Sequence, residues 1–335
     1  MVDLALLGVG AWGKNLLRTF LRLRNATLRT VCDPDLSRCH AALNGARGVE
    51  VSADAESVLS DPSIAAVAIA SSARTHFDLA RRAILSGKDV FVEKPMTLSV
   101  ADAEELVRLA EAEHRVLMVG HLLIYHPAVE KMKQLVTSGE VGKVYYLYSQ
   151  RLNLGRIRTD ENALWSFAPH DISVALHVLG DAPVEVAARG AAYIQPGIED
   201  VAFLHMRFRD DRLAQVHVSW LDPHKVRRTT LVGSEKMVVF DDAEPSEKIR
   251  IYDRGVDLNG TCVGYSDSFT LRFGEVTAPV IDMVEPLKAE CAHFIDCVEA
   301  RTKPRTDGRD GLRVVRVLDA AERSLRNGGL PVPIE

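Results

Sequence analysis

Leu4-Ala5-Leu6-Leu7-Gly8-Val9-Gly10-Ala11-Trp12-Gly13 decides the fold of this chain. The apolar run is long enough for a buried parallel strand and too short for a helix. Gly8 permits a tight turn, Gly10 lets a pyrophosphate approach the backbone, and Gly13 lets the following helix pack closely on the strand. That helix carries Leu16, Leu17, Phe20 and Leu21 on one face. Its leading N–H groups and its dipole suit phosphate. A second strand, Leu28-Arg29-Thr30-Val31-Cys32, ends in Asp33, about 20 residues past Gly13, which is the spacing of a carboxylate that binds ribose hydroxyls. The loop Gly8, Gly10, Ala11, Trp12, Gly13 together with Asp33 is therefore the expected dinucleotide cradle. Asp33 would repel the extra phosphate of NADP, so NAD is the expected cofactor, with Arg38 placed to soften that preference. Asp33-Pro34-Asp35 also reads as a turn with a helix cap, and the two readings are compatible.

Working outward, strands and helices alternate to about residue 120. Residues 65–70 read as a strand, 74–86 as a helix stopped by Gly87, and 88–93 as the next strand. Ser99 caps a long helix with Asp102 in its first turn, and 116–119 close the unit as a strand. Such a unit is a doubly wound parallel sheet, which binds ligands at the carboxyl ends of its strands. Ser71, Glu93 and Gly120 fall at those ends. After residue 120 the pattern changes to a helix over 127–137 and then strands over 144–152, 184–194, 201–208, 213–220 and 227–232, separated by short polar turns. Helices are expected over 287–299 and 312–326. The expected architecture is α/β: a Rossmann domain, residues 1–120, followed by an α+β domain, residues 121–335, with an open-faced, largely antiparallel sheet for substrate and subunit contacts.

At 335 residues the chain is too long for one ordinary core, which agrees with two domains. An apolar share of 47% supports a sizeable core, while a net charge of −5 without like-charge blocks gives no sign of nucleic acid or a polybasic membrane contact. No basic leader and no apolar run of about 18 residues appears, so a soluble, cytoplasmic protein without a membrane partner is expected. Cys32, Cys39, Cys262, Cys291 and Cys297 form no CxxC pair and leave an odd one out, as reduced, mostly buried thiols do.

The second informative stretch is Glu93-Lys94-Pro95. A lysine at a strand end beside the nicotinamide position can exchange a proton with a substrate oxygen while hydride moves to the ring. The plainer alternative is a solvated surface lysine.

With these motifs the chain resembles the Gfo/Idh/MocA family of sugar and cyclitol dehydrogenases. The matching stretches are the glycine loop, Arg74-Thr75-His76, residues 87–95, Ser138-Gly139-Glu140-Val141-Gly142, residues 294–299 and Arg305-Thr306-Asp307-Gly308. The resemblance implies hydride transfer to NAD, Ser71, His76, Glu93 and Lys94 beside the cofactor, and assembly as a homodimer or homotetramer. The family usually places an aspartate four residues before a histidine at the start of a helix. Here Trp165-Ser166-Phe167-Ala168-Pro169-His170-Asp171 aligns His170 with the histidine and Ser166 with the aspartate, so no aspartate role carries over. Pro169 reads as a first-turn residue. His170 would then sit at a helix N-terminus, where the dipole keeps its ring neutral and able to accept a hydroxyl proton; a capping or packing histidine is the alternative. His177 is expected in the core. A metal at His170, Asp171 and His177 is not expected, since hydride transfer needs none.

The segment from Arg151 to Trp165 combines Arg151, Asn153, Arg156, Arg158, Asn162 and Trp165. Guanidinium forks suit phosphate or carboxylate and amides suit sugar hydroxyls, so Arg151, Asn153, Arg158, Asn162, Trp165, His170 and Lys94 form the expected substrate set; a solvated loop is the alternative. This pattern resembles the nucleotide-sugar branch of the family, which oxidises a ring hydroxyl such as C3 of UDP-N-acetylglucosamine. A free sugar or inositol as substrate, and a non-catalytic dinucleotide-binding regulator, stay open at this point.

Overall fold

The computed structural model describes residues 1–155, 157–258 and 269–334. Arg156 and Cys262 lie outside the described residues. The chain opens with β1 (Val2–Leu7), α1 (Gly13–Phe20), β2 (Ala26–Cys32), α2 (Leu36–Leu43), β3 (Glu50–Ser52) and α3 (Ala55–Ser60). It continues with β4 (Ala66–Ile69), α4 (Ala73–Leu85), β5 (Asp89–Glu93), α5 (Val100–Ala112) and β6 (Leu117–Gly120). These strands form one parallel sheet in the order β3-β2-β1-β4-β5-β6. The order reverses between β1 and β4, and a ligand crevice opens outside the carboxyl ends at such a switch point. Strands buried on both faces read as continuous apolar runs, which is why 4–7 and 66–69 were legible. Helix starts follow side-chain caps: Asp35 accepts from Ser37 N, Asp54 from Glu56 N and Ser99 from Asp102 N.

The remaining elements are α6 (Pro127–Thr137), β7 (Val144–Leu152), α7 (Ala163–Leu179), β8 (Glu185–Ala191), β9 (Val201–Arg207) and β10 (Leu213–Ser219). Then come β11 (Val226–Gly233), β12 (Met237–Asp241), β13 (Ile249–Leu258), β14 (Phe269–Thr277), α8 (Pro286–Ala300), α9 (Gly308–Arg326) and β15 (Val332–Pro333). The second sheet runs β14-β13-β12-β11-β7-β10-β9-β8-β15, antiparallel except where β7 and β10 lie parallel. Along β9 the buried Ala202, Leu204 and Met206 alternate with the exposed Phe203, His205 and Arg207, the period-two pattern of a sheet covered on one face. Helix α7 lies against β7, β9 and β10.

The chain falls into two compact units, each built from two segments. One unit comprises Met1–Tyr125 and Val284–Arg316, the other His126–Met283 and Val317–Glu335. The reason is apolar burial. Phe294 on α8 packs edge-on against Phe91 of β5 at 5.7 Å, and Phe91 meets Phe20 of α1 at 6.4 Å. Without α8 that face of the parallel sheet would keep α1 and lose the part of its cover over β5. Helices α4 and α5 close the other face through Ala80, Ala83, Ile84, Leu106 and Val107, joined by Val315 of α9.

Candidate active site

In the first unit, Gly8 adopts φ +96°, and a Cβ there would meet Ser71 N at 2.6 Å. A Cβ on Gly13 would fall 2.1 Å from Gly8 O, whereas one on Gly10 would meet nothing within 4 Å. Two glycines are thus needed by the protein itself, and the third leaves space on the side where a pyrophosphate would sit. Helix α1 starts at Gly13 with no side-chain cap, and Lys14 N and Asn15 N donate to Gly10 O and Trp12 O; what the helix offers an anion is the positive end of its dipole. Asp33 is buried at the end of β2; its Oδ2 accepts from Val9 N at 3.0 Å and its Oδ1 from Asp35 N at 3.0 Å. The carboxylate is thereby tied to the glycine loop, facing the site expected for the ribose. These residues fit NAD: Gly8, Gly10 and Gly13 would hold the pyrophosphate and Asp33 the adenosine ribose.

Glu93 ends β5 beside Gly120 of β6, and a Cβ on Gly120 would come within 3.0 Å of its carboxylate. Glu93 accepts from Lys94 N at 3.2 Å and from the indole N–H of Trp12. Burial raises Glu93 to about 7, opposed by Trp12 and by the charge and N–H of Lys94. Lys94 follows at the strand end, half-buried. His76 is fully buried, with Nδ1 2.8 Å from Pro95 O and Nε2 3.3 Å from Ser71 O. Burial favours the neutral ring, which has one N–H to donate; given to the nearer carbonyl, Pro95 O, it ties the first turns of α4 to the loop after β5. Ser71 Oγ shares a hydrogen bond with Thr75 Oγ1 at 2.7 Å. Ala11 and Trp12 are exposed at the loop's outer edge.

Sequence reasoning missed two buried groups here. His121, one residue past β6, has neither ring nitrogen hydrogen-bonded and is pushed down to about 4 by burial and Lys94, against Asp310. Glu290 on α8 is fully buried with both carboxylate oxygens unpaired; burial, then the charge of Glu93, push it well above the usual carboxylate range. Both stand alone in their stretches of sequence and form no motif.

In the second unit the helix-start reading of Pro169 is corrected. Helix α7 begins at Ala163, where Asn162 Oδ1 caps Trp165 N at 3.1 Å, and Pro169 lies inside it. The Asn162 cap and the apolar run that follows start the helix two turns earlier, leaving His170 half-buried in the helix interior. The dipole argument for a neutral His170 falls with that placement. Ser166 is buried, and His177 is part-exposed with Nε2 3.9 Å from Glu130 Oε2. Asn162 Nδ2 also donates to Glu199 at 2.8 Å, and Trp165 Nε1 donates to Glu322 at 3.2 Å. Arg158 pairs with Glu161 at 2.5 Å. Asp171 is buried and receives Arg151 through Nε at 2.5 Å and Nη2 at 3.2 Å, together with Ser149 Oγ. Arg151 thus ties α7 to β7, Trp165 ties its first turn to α9, and Asn162 ties its cap to the loop before β9. Asn153 Oδ1 accepts from Arg227 Nη2 at 2.7 Å, a residue outside the expected set. Among the described residues, no group of three or more His, Cys, Asp or Glu is arranged to hold a metal ion, and no helix is long and apolar enough to cross a membrane. Cys32, Cys39, Cys291 and Cys297 are buried thiols.

A parallel sheet in this order, a glycine loop shaped for a pyrophosphate and an acid at the end of β2 define a dinucleotide-binding oxidoreductase with a separate mixed-sheet unit. Residues 2–121 match the family model described as an oxidoreductase family with an NAD-binding Rossmann fold, and residues 129–239 match the Gfo/Idh/MocA C-terminal domain. The chain belongs to the Gfo/Idh/MocA oxidoreductase family. It is 27% identical to scyllo-inositol 2-dehydrogenase (NAD(+)) of Bacillus subtilis over 100% of its length and 96% of that protein. To UDP-N-acetylglucosamine 3-dehydrogenase of Acidithiobacillus ferrooxidans it is 28% identical, covering 75% of each chain. A crystal structure from Magnetospirillum magnetotacticum MS-1 superposes with TM-score 0.82 at 32% identity, covering 96% of this chain and 99% of that one.

Proposed function

We propose that this oxidoreductase oxidises a ring CH–OH group, at C3, of a nucleotide-linked hexose such as UDP-N-acetylglucosamine. The hydride leaves the ring carbon for the nicotinamide, which is the chemistry NAD supplies when bound. The hydroxyl proton leaves separately, and Lys94 and His170 are its carriers: Lys94 as the polarising and proton-exchanging group, His170 as the base. The observation that carries the reading is the glycine cradle placed on the same sheet end as Glu93-Lys94. Similarity to a nucleotide-sugar 3-dehydrogenase supports the substrate class. A neutral inositol is the second reading, favoured by full-length similarity to an inositol dehydrogenase. Asp33 favours NAD over NADP. Assembly as a homodimer or homotetramer is part of the proposal, supported by exposed Tyr146, Phe203 and Leu213 on the sheet strands.

The test is NADH formation from UDP-N-acetylglucosamine, free N-acetylglucosamine and inositols, side by side. Turnover confined to the inositols would sink the nucleotide-sugar reading and leave the dehydrogenase one standing.

A further inference from the structure

Strands β7 and β11 pair antiparallel, and the register sets Arg227 directly opposite Arg151. Both side chains therefore lie on the sheet face that α7 covers. Like charges directly opposite in an antiparallel pair destabilise it, and here Arg151 is buried and Arg227 half-buried. One buried carboxylate serves the pair directly. Asp171 grips Arg151 with both oxygens and takes Ser149 Oγ as well. Among the described residues, no carboxylate is in hydrogen-bond contact with Arg227. Its Nη2 donates to Asn153 Oδ1 at 2.7 Å, its Nη1 makes a long 3.4 Å contact with Val226 O, and its Cζ stands 5.2 Å over the Phe167 ring. Burial, then Arg151, pulls Arg227 down to about 10, with Asp171 and Asp242 acting in the other direction at a distance. The guanidinium is charged, oriented by an amide and an aromatic face, and underpaired. Phe167 lies three residues before His170 on α7, so Arg227 sits on the same stretch of helix as the candidate base.

We propose that Arg227 binds an oxyanion carried by the substrate: the diphosphate of a nucleotide sugar or the carboxylate of a sugar acid. A guanidinium fork suits either group, through paired N–H donors to two oxygens. The bound anion would offset from the Arg227 side a repulsion that Asp171 offsets from the Arg151 side. This deepens the nucleotide-sugar reading above and rests on it for the diphosphate arm only.

The experiment uses the intact chain saturated with NADH and measures binding of UDP-N-acetylglucosamine, glucuronate, N-acetylglucosamine and myo-inositol. The variants are Arg227→Met, Arg227→Lys and the control Arg228→Met, whose side chain is exposed and pairs with Asp241. Arg227→Met should weaken whichever anionic ligand binds on the order of 10–100-fold, the range for losing hydrogen bonds to a charged group. Arg227→Lys should recover part of that, because it keeps the charge and loses the fork. Neutral ligands, NADH and the control should be unaffected. If Arg227→Met fails to fold, the Lys variant alone still decides, since it should show a several-fold loss confined to anions. Wild-type affinity for the anionic ligand in either Arg227 variant overturns the proposal. So does a wild-type protein that holds neither anion better than its neutral counterpart. Absence of turnover on any nucleotide sugar overturns the earlier reading instead, and the glucuronate comparison then still decides Arg227.

Discussion

The indole N–H of Trp12 donates to Oε1 of Glu93. One end of that bond lies in the glycine loop, the other beside Lys94 on the end of β5. The segment that would hold a pyrophosphate and the segment that carries the candidate proton donor are joined through a buried carboxylate. The charge on that carboxylate therefore matters to both.

Glu93 should make stability depend on pH in a defined window. Its folded value, about 7, lies above the ordinary 4.5. Between those values the folded state holds a proton that the unfolded state has lost. Stability from this group is then present below about pH 4.5 and lost as pH rises to about 7, by on the order of 3 kcal/mol. Glu93→Gln removes that slope. Thermal unfolding of both proteins from about pH 5 to about pH 8 should show the wild type losing ground to the variant; parallel curves would contradict the assignment.

The glycines of the loop should separate by role. Gly10→Ala meets no neighbour within 4 Å, so apo stability should hold or gain slightly while NADH binding weakens. Gly13→Ala drives a methyl to 2.1 Å from Gly8 O, and should destabilise the fold by about 1–3 kcal/mol or more. Melting curves with and without NADH distinguish the two, and a Gly10→Ala protein with wild-type NADH affinity would remove the pyrophosphate from this side of the loop.

Asp33 should make NADH bind more tightly than NADPH. Asp33→Ser should narrow the difference by weakening NADH, because it loses both the ribose contact and the bond to Val9 N. Fluorescence titration of the two reduced cofactors is the check, and tighter NADPH binding by the wild type would refute the role.

Lys94→Ala and His170→Asn should each lower turnover by about 10²–10⁴-fold, the usual scale of general acid–base catalysis, with NADH affinity largely kept. His177→Asn should move stability more than rate. A His170→Asn protein with near-normal kcat on its own substrate would take His170 off the list.

What was legible in the sequence followed from short-range rules. The glycine loop, Asp33 and the strands of the parallel sheet other than β3 are set by spacing and by burial on both faces, and each can be read within a window of some 30 residues; β3, three residues at the sheet edge with none of them buried, carries no such run. Pro169 was misread because proline suits a first turn, whereas Asn162 and the apolar residues after it had already started α7. The Phe294 face of α8 shows that the helix must be buried, yet nothing in its period says against which sheet. Arg227 was missed because its meaning lies in its partner across the strand, Arg151, some 75 residues away.

The return of α8 to the first unit orders events during synthesis. When Gly120 leaves the ribosome, all six parallel strands exist, but Phe91 still lacks Phe294. About 160 more residues must be added before α8 arrives, which takes on the order of 10–30 s at about 5–20 residues per second. Through that interval the nascent sheet shows an apolar face to the cell, where chaperones or neighbouring chains can reach it. A fragment ending at Gly120 would remain in that state for good, with its glycine loop complete and its sheet half-covered.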